Sequence, residues 1–93
     1  MEFVAHDGDE VVKAVSEGRI HPEVILMDYR MPRMNGIQAA EKVLRVAPET
    51  QIILATADDL VRGDATSAGL LFLLKPFSTV ALVRAIEYAL GRF

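Results

Sequence analysis

Apolar residues follow two alternating patterns along this chain. Short unbroken runs, Phe3-Val4-Ala5, Val24-Ile25-Leu26-Met27, Ile52-Ile53-Leu54-Ala55 and Leu70-Leu71-Phe72-Leu73-Leu74, are too short for helices and suit strands buried on both faces. Between them apolar residues recur at helical spacing. Val11, Val12 and Val15 share one face and end near Gly18, and Ile37, Ala40, Leu44 and Ala47 share another and stop at Pro48. A last stretch, about Ser78 to Arg92, aligns Leu82, Ile86, Leu90 and Phe93, with Val83 beside them and Ser78 as cap. Residues 57–69, ADDLVRGDATSAG, predict only a weak helix, because Gly63, Asp64, Thr66 and Ser67 lower helix propensity. Asp7-Gly8 reads as a turn with Asp9 as the N-cap of the first helix, Pro22 and Pro32 break regular structure, and Asn35-Gly36 marks another turn. The order β-α-β-α-β-α-β-α calls for an α/β fold with a parallel sheet and right-handed crossovers.

Composition narrows the class. The chain has 93 residues, which predicts one domain over 1–93 burying about two-thirds of its unfolded surface. With 52% hydrophobic residues, core material is plentiful. No run approaches the length that spans a bilayer, and MEFVAHDGDE lacks the basic start and apolar core of a signal peptide. There is no cysteine, so neither a disulfide framework nor a thiolate metal site, and cytoplasmic residence is the expectation. A net charge of −3 and the lack of a basic-aromatic stripe predict no direct nucleic-acid contact and no membrane partner.

Three apolar runs end on Asp28, Thr56 and Lys75. A parallel sheet gathers such ends at one edge, where ligands bind in open α/β sheets. Carboxylate, hydroxyl and ammonium make a phosphoryl-transfer set: nucleophile, hydrogen-bond donor and charge neutraliser. Taken singly each has a plainer reading, as a turn cap, a β-former and a solvated side chain. Only their joint placement favours chemistry. The side chains of Arg30 and Arg33 read as a solvated loop.

The stretch Asp28-Tyr29-Arg30-Met31-Pro32-Arg33-Met34-Asn35-Gly36 resembles the phosphoacceptor loop of response-regulator receiver domains, with proline at the fourth and glycine at the eighth position after the aspartate. The resemblance extends along the whole chain and implies a flavodoxin-like parallel sheet with helices on both faces. It implies Asp28 as phosphoacceptor, Thr56 as switch hydroxyl, Lys75 as the phosphate-contacting lysine before a cis Pro76, and Phe72 as the switch aromatic. It also implies Mg²⁺, held by Asp28 and the backbone carbonyl of Arg30.

Relative to that family the first strand and first helix are missing, leaving about four strands and four helices, and with them goes the acidic pair that helps hold magnesium. Mg²⁺ binding is therefore expected to be weak. The lost strand is central in the family, so either the His6 strand closes up against the Asp28 strand, bringing Asp7 or Asp9 near Asp28, or another chain supplies pairing there. The segment between Thr56 and Lys75 is a few residues shorter than usual.

The leading function is a stand-alone, non-enzymatic signalling module that takes a phosphoryl group on Asp28 from a histidine kinase or phosphotransfer protein and relays it by a conformational switch to a protein partner. The alternative is a phosphorylation-deficient binding or dimerisation module. An aspartate-nucleophile phosphatase ranks last, because Arg30 stands where such enzymes carry a second acid. A two-fold homodimer is expected, burying the bare face beside Leu82, Val83, Ile86 and Leu90 or exchanging a strand-helix unit; the alternative is a monomer in which the four strands close up and the last helix recentres.

Overall fold

The computed structural model describes residues 2–92. Four strands, β1 (Glu2–Ala5), β2 (Val24–Asp28), β3 (Gln51–Thr56) and β4 (Leu71–Leu74), form one parallel sheet in the order β1-β2-β3-β4. They alternate with α1 (Gly8–Ser16), α2 (Gly36–Val46), α3 (Arg62–Ser67) and α4 (Thr79–Ala89). All four apolar runs are strands, and the weak segment after Thr56 is a 3₁₀ turn, Asp59–Val61, leading into the six-residue α3. Phe93, aligned by spacing with the last helical face, lies outside the described residues.

The Asp28 strand has no open edge, which corrects one of the two sequence expectations. β1 pairs directly with β2, matching Phe3 to Ile25 and Ala5 to Met27. Closure satisfies the backbone groups that an uncovered β2 edge would leave unpaired. It also sets a register in which His6, the residue after Ala5, emerges beside Asp28.

The main core lies between the sheet and α1, α2 and α3. Ala5, Ile25, Met27, Ile52 and Leu54 meet Val11, Val15, Ala39, Ala40, Val43 and Ala65 there. On α2 the buried face centres on Ala39, Ala40 and Val43, rotated from the predicted Ile37, Leu44 and Ala47, which pack at its margin. Small alanines let that helix approach the sheet closely, whereas the longer aliphatic side chains fit better at its borders. Alternate strand residues face the other way, where α4 packs on β3 and β4.

Two caps differ from expectation. Asp7, not Asp9, caps α1, accepting a hydrogen bond from the Glu10 amide. Asn35-Gly36 is not a free turn: Asn35 caps α2 in a reciprocal capping box with Gln38, and Gly36 is the first helical residue. Ser78 caps α4 as expected, and the Lys75-Pro76 bond is cis.

Candidate functional site

Asp28 sits at the carboxyl end of β2, its side chain 22% exposed. The chain then leaves the sheet through Tyr29, whose amide bonds the Ala55 carbonyl, and returns at Gly36, whose amide donates to the Tyr29 carbonyl at 2.7 Å. The loop closes tightly. A Cβ at Gly36 would stand 2.6 Å from Leu54 Cδ1 and closer still to the Asp28 carbonyl oxygen, so glycine is required by space. Arg33, in the same loop, has φ of 68°, a left-handed conformation uncommon outside glycine.

Lys75 reaches across from the end of β4, and its Nζ donates to Asp28 Oδ1 at 2.9 Å. Two of the three predicted strand-end groups therefore meet directly. Thr56 is buried at the end of β3, one residue beyond Ala55, which pairs with Asp28. Its hydroxyl accepts the Asp58 amide at 3.1 Å, and its carbonyl accepts the Lys75 amide at 2.8 Å. Thr56 thus anchors the strand of Lys75 and the following loop, and makes no hydrogen bond to Asp28. Phe72 is half-buried on β4, with the Arg62 guanidinium 4.5 Å from its ring centroid.

Two groups at the site were not expected. His6 Nδ1 hydrogen-bonds Asp28 Oδ2. Arg33, read from sequence as a solvated side chain, bridges Asp7 (Nη2 to Oδ2, 3.0 Å) and Asp9 (through Nε). Arg30 lies 3.8 Å from Asp58 and is otherwise exposed. Closure of β1 against β2 therefore brings His6, rather than Asp7 or Asp9, onto Asp28. The available signal was the position of His6 directly after the strand, although the acids one and three places further on match a metal-binding role better by residue type.

Partial burial pushes the Asp28 carboxyl up, but hydrogen bonds from Lys75 and then His6 outweigh it and hold the group below the ordinary carboxylate range. Asp7 is also lowered, first by the Glu10 amide and then, against some desolvation, by Arg33. Asp28 is thus anionic at neutral pH, as a nucleophile must be.

The resemblance implies a divalent cation at this position, and the donor set can be tested for it. Mg²⁺ takes a near-octahedral shell of oxygens. Both Asp28 oxygens already accept hydrogen bonds, and Asp7 and Asp9 face Arg33. Among the described residues no group of three or more His, Cys, Asp or Glu side chains could hold a metal ion. The described residues do not form a magnesium cradle.

The family model for the response regulator receiver domain matches residues 2–87. The chain belongs to the receiver-domain family. It is 33% identical over 86 residues to the chemotaxis protein CheY of Thermotoga maritima, covering 89% of this chain and 70% of that one. It is also 33% identical over 102 residues to the transcriptional regulatory protein PdtaR of Mycobacterium tuberculosis, covering 99% of this chain but only 50% of the relative's length. Among solved structures, the receiver domain of the sensor histidine kinase PA1611 of Pseudomonas aeruginosa, with magnesium in its active-site cleft, superposes with a TM-score of 0.80 at 29% identity, covering 94% of this chain and 74% of that one. The flavodoxin-like receiver fold is thereby shown, and with it a role in two-component signalling. Receiver domains bind Mg²⁺ in this cleft and interact with histidine kinases or phosphotransfer proteins. Among the described residues no helix is long and apolar enough to cross a membrane.

Proposed function

We propose that this chain accepts a phosphoryl group on Asp28 from a histidine kinase or a phosphotransfer protein and relays it through Thr56 and Phe72 to a protein partner. The observation that carries this reading is the Lys75 ammonium 2.9 Å from Asp28 Oδ1 at the sheet's carboxyl edge. The carboxylate is the nucleophile, and the ammonium neutralises charge on the incoming phosphoryl oxygens. Thr56 then turns its hydroxyl toward the phosphoryl group, and Phe72 leaves or deepens its half-buried seat, because phosphate shifts a two-state equilibrium only through contacts that differ between the states. The role is non-enzymatic and cytoplasmic, and the chain itself touches neither nucleic acid nor membrane. Metal binding through Asp28 and the Arg30 carbonyl is weak, for want of further ligands. Incubation with acetyl phosphate followed by intact-mass measurement tests this: one phosphoryl adduct is expected, absent in Asp28→Asn. An adduct persisting in that variant refutes Asp28 as acceptor.

The second reading, a phosphorylation-deficient binding module, is favoured by the occupation of both Asp28 oxygens. Failure to form any adduct, with or without magnesium, selects it. Under either reading the chain forms a homodimer through the open face of the sheet, where Val4 is 53% and Val83 47% exposed and no residue of α4 is buried. Sedimentation at micromolar concentration is expected to show the dimer, and a folded monomer refutes it.

A further inference from the structure

Every carboxylate at the mouth of this site is held by a protein side chain of the kind that opposes negative charge. Asp28 has Lys75 on Oδ1 and His6 on Oδ2, and Asp7 and Asp9 share Arg33. The arrangement is continuous. Asp7 directly follows His6 and also caps α1, so Arg33 ties the loop after β1 to the loop after β2 and keeps His6 over Asp28. We propose that His6, Lys75 and Arg33 take the place of a divalent cation here, so that phosphoryl transfer to Asp28 does not depend on magnesium.

The inference rests on the reading of Asp28 as phosphoacceptor. With acetyl phosphate, one Asp28 oxygen forms a new bond to phosphorus while the bond from phosphorus to the bridging acetyl oxygen breaks. Acetate leaves with the electron pair. Charge on the phosphoryl oxygens is met by Lys75 and by the N–H of His6, one of which must move from the attacking oxygen to the incoming group. Both side chains have room to do so, at 43% and 73% exposure. Arg33 is a positioning residue: its one positive charge offsets part of the charge of Asp7 and Asp9, which would otherwise repel the anionic donor more strongly.

The wild-type chain is incubated with acetyl phosphate in EDTA and, separately, in millimolar magnesium, and adduct formation is followed by intact mass. Equal rates in the two media are expected. A reaction that proceeds only with magnesium leaves Asp28 as acceptor and overturns this inference. Removing a well-aimed donor costs about a hundredfold in an enclosed site and less at a surface, so His6→Ala is expected to slow the EDTA reaction by about tenfold. An unchanged EDTA rate in that variant removes His6 from the proposal. Arg33→Gln is expected to make the rate magnesium-responsive while Arg33→Lys is not, a distinction that a purely structural role for Arg33 does not produce. Should a variant fail to fold, the wild-type comparison still decides. If no adduct forms in either medium, the phosphoacceptor reading fails, and amide spectra of the wild type under magnesium titration judge the substitution separately. Saturable shifts around Asp7 and Asp28 overturn it, and none supports it.

Discussion

The two faces of this sheet are built to different standards. On the face toward α1, α2 and α3, Ile25, Met27 and Leu54 are wholly buried against helices whose inner residues are alanine and valine. On the other face one register row runs from Val4 through Leu26 and Ile53 to Leu71. Ile53 is fully buried, Leu26 is half-buried and Val4 is 53% exposed. The row fades because α4 packs mainly on β3 and β4. Hydrophobic stabilisation scales with apolar area removed from water, so the closed face carries most of the stability and the open face holds area still to be covered. Asp28 stands at the edge between them, positioned by the rigid face and reached by Lys75 from β4, the strand over which α4 lies.

The contrast can be tested in order of effect. Leu54→Ala, on the closed face, is expected to cost about 3 kcal/mol in urea denaturation, because the surrounding side chains cannot collapse into the space. A cost near that of an exposed site would show that the closed face is not the stabilising one. Gly36→Ala should cost about 2 kcal/mol, since the new methyl meets the Asp28 backbone and Leu54 together. It should also slow phosphorylation by displacing Asp28, whereas Gly8→Ala, which meets the flexible Met34 side chain first, should be milder. Ile86→Ala, half-buried on α4, is expected to cost about 1 kcal/mol in a monomer. A larger cost that grows with protein concentration would place Ile86 in a dimer interface.

The smallest effect is in acid. The folded pKa values of Asp28 and Asp7 are depressed, so their contribution is fully present above the unfolded carboxylate value of about 3.9 and is lost as pH falls through the folded values. Stability should be flat from neutrality to about pH 5 and decline below about pH 4. Asp28→Asn should flatten that decline. Steeper loss between pH 5 and 7 would point to other groups.

Much of this was legible from sequence. The strand runs, the weak segment before β4, the Ser78 cap and the gathering of Asp28 with Lys75 all follow from local pattern and the parallel topology. The misplaced details share a cause. Asp7 and Asp9 are equally good caps by residue type, and only backbone geometry chooses between them. Arg33 looks solvated because its partners are 24 and 26 residues away in the chain. Thr56 converges on the site but spends its hydroxyl on the Asp58 amide, a choice set by the tight turn after β3.

Local pattern determined which segments are strands and helices, because burial periodicity, prolines and capping residues act within a few positions of one another. It also determined the chemistry available, a carboxylate, a hydroxyl and an ammonium at the ends of three apolar runs. Tertiary structure alone decided that β1 lies against β2, and hence that His6 meets Asp28 while Arg33 holds the neighbouring acids. Strand order and register depend on pairings between distant segments, and a carboxylate takes whichever donor those pairings bring within hydrogen-bonding distance.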